Sequence, residues 1–380
     1  MEKKKVLFVA TVVKAHIMAF HIPYLKWYKE NGYEISVCAK NDYDNKGDCI
    51  IPYCDNFYDL PFERSPIKFN NLRTYKQLKD IIDSKEFDII HCHTPMGGAL
   101  ARLAAKDARK KNAKVIYTAH GFHFYKGAPL LNWLIYYSIE KWLSRYTDIL
   151  LTINKEDYKR AKKFKSNSIE YIPGVGLDNS SFNKKEVDKN EKKADIGVQE
   201  DSYIILSVGE LNKNKNHEVI IKAIAKMKNR NIKYLICGQG AMENQLKELA
   251  YKLGVEEQLI LMGYRNDIDE ICKVSDLFAF PSYREGLSLS LMEAMAAGLP
   301  VVGSDIRGNS DLVDNGEGGY LLSPEDVNGY SKSIKAIMNN QQLSGKMAMV
   351  NKLKIREFYI ENVLKDYSDI ITKINKVGYR

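Results

Sequence analysis

The sequence predicts an α/β protein of two doubly wound parallel sheets. Short apolar strand-like runs alternate with longer amphipathic stretches through nearly all of its 380 residues. That is the pattern of strand–helix–strand crossovers in a parallel sheet. The alternation breaks once, after Pro173, where "GVGLDNSSFNKKEVDKNEKKADIGVQEDS" is polar and poor in apolar runs, and then restarts. Such a stretch reads as an interdomain connection. At 45% hydrophobic and 28% charged residues the chain can bury a substantial core.

Taken in order, the first half offers the strands "VLFVAT", "EISVCAK", "FDIIHCH", "KVIYTAH", "DILLTIN" and "IEYIPG". Between them, "AFHIPYLKWYKENG" and "NLRTYKQLKDIIDSK" carry apolar residues at helical spacing. After the break come "YIILSVG", "KYLICGQG", "QLILMG", "LFAFPS", "PVVGSD" and "GGYLL", with helical stretches between them. The final stretch, "REFYIENVLKDYSDIITKINK", has no place in the second alternation and is expected to cross back onto the first. The expected units are therefore 1–175, 176–355 and a returning helix in 356–380. Ligands of open α/β sheets bind beyond the carboxyl ends of the strands. Two such units facing each other across a cleft would suit a reaction of two substrates.

Several classes are set aside by composition. No apolar run reaches the roughly 18 residues of a membrane-spanning helix. The N-terminal "MEKKKVLFVATVVKAHIMAF" is interrupted by Lys14 and His16 and reads as a first buried strand rather than a signal peptide. Six scattered cysteines with no C-x-x-C pair suggest a reducing, cytoplasmic compartment. A formal net charge of +9 comes without a nucleic-acid-binding motif. An anionic membrane surface, a phosphorylated substrate or a plainly solvated lysine-rich surface would each suit it.

One segment carries chemistry. In "YREGLSLSLMEAMAAG" a turn leads into a helix with Ser288 or Ser290 near its start and Gly298 at its end. Glu285 lies in the turn, and Glu293 lies in the first helical turns. Between them the amides of Gly286, Leu287 and Ser288 would face a helix N-terminal anion site. A nucleotide-sugar has the matching shape, a diphosphate with hydroxyl-bearing rings on both sides. The plainer alternative is a surface loop acid and a helix-dipole acid.

The longer run "PSYREGLSLSLMEAMAAGLPVVGSDIRGNSDLVDNGEGGYLL" resembles the E-x7-E signature of glycosyltransferase family 4. "FDIIHCHTP", "VIYTAHGFH", "LSVGELNKNKNH" and "LICGQGAMENQL" fall in that family's order, so the resemblance covers nearly the whole chain. It is nearest to bacterial capsular and exopolysaccharide transferases. It implies the GT-B fold of two Rossmann-like domains and sugar transfer with retention of anomeric configuration. It also implies that Glu285 contacts the donor sugar, Glu293 the ribose, and Gly286–Ser288 the phosphates.

The family's diphosphate clamp maps onto "VGELNKNKNH", where Lys215 matches the lysine but Glu210, after Gly209, stands in place of the arginine. Lys213 is the candidate to supply the missing charge. Gly263, Tyr264 and Arg265 begin the loop that reads the base, which fits a uridine donor. In the first half the resemblance places His120 against the donor sugar or its phosphate. His93, Thr94, Gly97 and His123 fall on the acceptor side. The family's early glycine-rich loop is replaced by "ATVVKAHIMAFH", offering Lys14 and His16 to the acceptor. His91 and His93 share one strand face, but sequence positions no third ligand beside them, so no metal or other cofactor is expected. Asp267-Ile268-Asp269 reads as a helix cap and first turn rather than a metal-binding D-x-D.

The stretch "KGAPLLNWLIYYSIEKWLSRYTD", with Trp133, Tyr136, Tyr137 and Trp142 beside lysine-rich segments, fits either a peripheral membrane face or a core helix. Together these readings describe a retaining transferase. It would move a sugar from a nucleotide-sugar, UDP-linked, to a glycan or lipid-linked acceptor at the inner face of the cytoplasmic membrane, with no nucleic-acid partner. The alternatives are a GT-B nucleotide-sugar epimerase or hydrolase, and a catalytically inactive membrane-associated partner subunit.

Overall fold

The computed structural model of the chain describes residues 3–180, 182 and 187–376. These form two units: one holds the residues up to Val175 and those from Val363 onward, the other Gly176–Asn362.

The first unit is built on seven strands: β1 (Lys5–Val12), β2 (Glu34–Lys40), β3 (Asn56–Asp59), β4 (Ile89–His93), β5 (Lys114–Ala119), β6 (Ile149–Thr152) and β7 (Ser168–Tyr171). They pair in the order β3-β2-β1-β4-β5-β6-β7, each pair parallel. The central strands are buried on both faces, so they read as continuous apolar runs rather than alternating ones. β3 was not expected. Its four residues, "NFYD", sit half-buried at the sheet edge and carry no apolar run. The stretch "AFHIPYLKWYKENG" becomes the helix Ile22–Glu30, preceded by a π-helical turn at Val13–Met18.

The second unit has β8 (Tyr203–Val208), β9 (Ile232–Cys237), β10 (Leu259–Gly263), β11 (Leu277–Phe280), β12 (Val301–Ser304) and β13 (Gly319–Leu322). Their order is β10-β9-β8-β11-β12-β13, again all parallel. Two buried clusters, one on each side of this sheet, hold the unit together; Leu206, Phe278 and Met295 belong to one, Ile205, Ile220 and Tyr330 to the other.

The polar stretch after Pro173 is more than a connection. Leu177, Ile196 and Val198 are core residues of the second unit, and Lys189–Asp195 is a helix capped by the Asp188 carboxylate. Its Lys192 Nζ lies 2.6 Å from Asp267 and 2.7 Å from Glu270. Ser181 and residues 183–186, also part of that stretch, lie outside the described residues.

The last helix, Ile360–Lys376, starts in the second unit and continues in the first, so the division falls after Asn362 rather than at 355. It joins the first unit because its apolar stripe needs a partner there. Tyr367 is fully buried, and its hydroxyl bonds to Tyr28 Oη at 2.8 Å and His91 Nδ1 at 2.9 Å. His91 Nε2 is in turn 2.8 Å from Thr118 Oγ1, so both nitrogens of this imidazole are satisfied. The six cysteines are all free, and among the described residues no helix is long and apolar enough to cross a membrane.

Tyr367→Phe would leave Tyr28 and His91 short of a buried partner. It should cost about 1–3 kcal/mol, read as a lower urea midpoint; an unchanged midpoint would show that the helix is held by its apolar contacts alone.

Candidate active site

In each sheet the strand order turns back at the first strand, between β1 and β4 and again between β8 and β11. Connections leave such a point in opposite directions and open a crevice at the carboxyl ends. The sequence-derived site residues gather at these two places.

In the second unit, the turns after β8 and β11 are stitched together by asparagines. Asn214 accepts the Tyr283 amide at 2.8 Å through its carbonyl, and its side-chain amide donates to Arg284 O at 3.0 Å. Asn216 donates to Pro281 O at 3.1 Å and Pro324 O at 2.7 Å. It adopts φ 54°, in the left-handed region that asparagine tolerates better than most residues. Lys215, held between them, reaches Glu285 with Nζ–Oε1 2.8 Å and lies over the Phe280 ring at 4.8 Å. The pair is mostly buried, at 18% and 14% side-chain exposure. Gly209 is required for this: a Cβ there would meet Lys215 Cε at 2.8 Å, on a backbone with φ 156°. Glu285 is fixed from behind by Arg307, whose Nε donates to its carbonyl at 3.2 Å.

Glu210 resolves differently from Lys215. It is exposed and accepts a bond from Asn212 Nδ2 at 2.9 Å, with no ion pair to any described residue. Lys213 is also exposed, beside a small cavity shared with Asn216 and Tyr283.

The helix after the turn is Leu289–Ala297, ended by Gly298 at φ 85°. It starts one residue beyond Ser288, so its own unpaired first-turn amides are those of Leu289, Ser290 and Leu291; Gly286, Leu287 and Ser288 form the approach to it. Neither serine caps it: Ser288 Oγ lies 2.9 Å from Ser290 Oγ, which reaches Val208 O at 3.3 Å. The N-terminal amides are thus left without a side-chain cap. Gly308 keeps this turn open, since a Cβ there would lie 2.2 Å from Gly286 O. Glu293, partly buried on the same helix, makes no hydrogen bond or ion pair with any described residue. Burial, with the Asp269 carboxylate nearby, raises its pKa to about 7.

Gly263, at φ 65°, accepts the Gly238 amide at 2.8 Å, which sets the loop after β10 beside the loop after β9. Tyr264 is exposed. Arg265 is occupied: its Nε donates to Asp267 at 2.8 Å, and Asp195 lies 3.7 Å away. Asp267 stands at the helix N-cap position without a side-chain capping bond. Its carboxylate is held by Arg265 and Lys192, which depress its pKa. The Asp267 charge is therefore already neutralised locally.

In the first unit, Thr94 follows β4 with φ 62° and caps the helix Pro95–Ala104, accepting the Gly97 amide at 3.3 Å. Gly97 is a packing residue: a Cβ would meet Thr94 Oγ1 at 2.7 Å and the Ala10 backbone at 3.2 Å. His93, expected on the acceptor side, is 1% exposed at the end of β4. Lys14 is exposed, its backbone amide bonded to Asp42 at 2.6 Å. His16 is buried in the π-helical turn. His120 Nε2 lies 3.4 Å from His93 Nδ1. The fold sets beside His93 ligand-type side chains that the sequence did not position there. His16, His21, His93 and His120 come together, with one ring nitrogen of each within 4.8 Å of the others. His21 ends the segment "ATVVKAHIMAFH" that offered Lys14 and His16, but nothing in its sequence spacing points to His93 or His120.

Beside this cluster lies a largely apolar cavity of about 660 Å³, lined by His16, Arg64, Ile67, Thr94, His123 and Tyr136 among others. His123 stacks on Tyr136 at 4.8 Å. The aromatic stretch is part packed and part exposed. Trp133 and Tyr137 pack on Phe124, whereas Leu130, Leu131, Leu134, Ile135, Ile139 and Trp142 are exposed. Ile67 and Phe69, elsewhere in the sequence, are exposed too.

Two Rossmann-like units with a lysine–glutamate pair and an uncapped helix at one switch point have the architecture of a GT-B sugar transferase. The "Glycosyl transferase 4-like" family profile matches residues 5–154 and "Glycosyl transferases group 1" matches 188–353. The chain is 40% identical over 372 residues to a putative glycosyltransferase, EpsD, of Bacillus subtilis, covering 97% of this chain and 96% of that one. It is 29% identical over 294 residues to an Escherichia coli UDP-Gal:α-D-GlcNAc-diphosphoundecaprenol α-1,3-galactosyltransferase, covering 73% and 75%. The crystal structure of Anabaena HepE in complex with UDP superposes with a TM-score of 0.80 at 17% identity, over 99% of this chain and 100% of that one. The chain belongs to glycosyltransferase family 4, has the GT-B fold and is a glycosyltransferase.

The raised pKa of Glu293 makes a claim about stability. The folded state holds this proton more tightly than the unfolded chain does. Stability is therefore full at low pH and falls as pH rises from the ordinary carboxyl range through about 7. Glu293→Gln should flatten that dependence and stabilise the ligand-free protein at pH 8 by on the order of 2–3 kcal/mol. Parallel pH profiles for both proteins would show that Glu293 does not titrate in this range.

Proposed function

We propose that the chain transfers a sugar, with retention, from a UDP-linked donor to a polyprenyl-diphosphate-linked sugar acceptor, in cell-surface polysaccharide biosynthesis at the inner membrane face. The observation that carries the donor half is the Lys215–Glu285 pair beside an uncapped helix N-terminus. A donor diphosphate suits the lysine and the free amides, and sugar hydroxyls supply donors for Glu285. Glu293, unpartnered and partly buried, suits the ribose hydroxyls. The UDP in the HepE crystal and the UDP-linked donor in the name of the Escherichia coli relative support a uridine donor.

In this reading the bond between the sugar's anomeric carbon and the β-phosphate oxygen breaks as the acceptor hydroxyl attacks from the same face. The leaving phosphate takes the acceptor's proton. Lys215 and the helix amides offset charge on that phosphate. His120, which the family resemblance assigns to the donor sugar, is held neutral by burial, which lowers its pKa to about 4. Glu210, turned to solvent, adds no repulsion there. The acceptor half rests on the apolar cavity with Arg64 at its wall and on the exposed Leu130–Trp142 face. A polyprenyl chain suits the first and a lipid surface the second. Diphosphoundecaprenol in the name of the Escherichia coli relative points the same way.

Incubating the protein with UDP-sugars, with and without a lipid-linked acceptor, tests the whole reading. Lipid-dependent consumption of one donor is expected, with the product glycosidic bond keeping the donor's anomeric configuration. Acceptor-independent donor turnover would instead identify a hydrolase or epimerase. A charge-assisted bond of about 1.5–3 kcal/mol that strengthens in the transition state makes Lys215→Ala slower by roughly tenfold to a few hundredfold. Full activity of folded Lys215→Ala at limiting donor would remove Lys215 from the mechanism. On the membrane side, binding to anionic vesicles should weaken with salt and drop several-fold in Leu134→Glu/Trp142→Glu. Equal binding by wild type and variant would place the contact elsewhere.

A further inference from the structure

The four-histidine cluster of the first unit has no part in the donor chemistry above, apart from His120. Its members come from three connections: His16 and His21 from the segment after β1, His93 from the end of β4, and His120 from the turn after β5. The rings crowd together, His21 to His93 at 3.8 Å between centroids and His16 to His120 at 4.8 Å. Hydrogen bonds do not account for this. Both nitrogens of His21, Nε2 of His16 and Nε2 of His93 are buried with no partner among the described residues. His21 is only 2% exposed. His91, two residues before His93 on the same strand face, shows what a structural histidine looks like here, with Thr118 on one nitrogen and Tyr367 on the other.

We propose that His16, His21, His93 and His120 bind one divalent transition-metal ion of the zinc class. Zinc–nitrogen bonds of about 2.0–2.1 Å in a tetrahedron put neighbouring ligand atoms about 3.3–3.4 Å apart. The His93–His120 nitrogen pair already stands at 3.4 Å. The ligand atoms of all four lie within 4.8 Å of one another. No carboxylate belongs to the set, and an all-imidazole donor set favours zinc, cobalt, nickel or copper over magnesium or calcium. Burial keeps these imidazoles neutral, the form that ligates a metal. An anion would find lone pairs there rather than charge. A bound ion would clamp the π-helical turn Val13–Met18 to the ends of β4 and β5, and would set positive charge behind His16 at the wall of the apolar cavity.

This inference does not depend on the donor, the acceptor or the transfer reaction, and its test reads the metal directly. Untagged full-length protein, stripped with a chelator, is titrated with Co2+ and then Zn2+. One equivalent of Co2+ should give the intense visible bands of a tetrahedral site, and Zn2+ should displace it. His21→Ala and His93→Ala should each weaken binding at least tenfold, with the wild-type circular dichroism spectrum retained. A chain that takes up no Co2+ or Zn2+ overturns the proposal, as does binding that survives in both variants. Should either variant fail to fold, X-ray absorption at the zinc edge of the loaded wild type decides. Four nitrogen ligands support the site, and sulfur or mainly oxygen ligands overturn it.

Discussion

Parallel pairing on both sides of a first strand is the constraint on which the rest of this molecule depends. β1 and β8 each have a parallel neighbour on either side, so the chain must leave their carboxyl ends in one direction and return from the other. Backbone polar groups at those ends cannot all be paired within the sheet. In the second unit Asn214 and Asn216 take up several of them, and in doing so fix the spacing of Lys215 and Glu285. The ion pair is therefore a product of the fold rather than its cause. An isolated partly buried pair contributes little net stability. In the proposed function it keeps a cation and a carboxylate mutually neutral and oriented until a ligand with both phosphate and hydroxyl groups divides them.

The two units treat charge in opposite ways. The second presents it: a paired lysine and glutamate, an uncapped helix and a carboxylate with no partner. The first hides it. His16, His21, His91, His93 and His120 are held neutral by burial, Arg102 is fully buried against Glu140 at 2.9 Å, and the cavity is largely apolar. The polar donor and lipid-linked acceptor proposed above would match that division.

Most of this architecture was legible in the sequence because strands buried on both faces leave continuous apolar runs. All six strands of the second sheet announce themselves that way, from "YIILSVG" to "GGYLL". β3 left no such trace, because an edge strand of four half-buried residues needs no apolar run. Lys215 and Glu285 were found through their motifs, each with its own local pattern. Asn214, Asn216 and Arg307 were not, because their work is done by single side-chain bonds to backbone carbonyls some 22 to 108 residues away. The histidine cluster was invisible for the same reason in a stronger form. Four imidazoles from three loops have no spacing to recognise until the sheet order has brought the loops together.

The helix Ile360–Lys376 gives the chain a temporal asymmetry. Its buried Tyr367 completes the hydrogen bonding of His91 and Tyr28, which leave the ribosome hundreds of residues earlier. All of the second unit is synthesised before this partner arrives. The N-terminal sheet must therefore wait, with His91 short of its partner, while the later domain is free to fold. Synthesis from the N-terminus does not give folding from the N-terminus here. The first domain to emerge is the last to be finished, and damage to the end of the chain would be felt at its beginning.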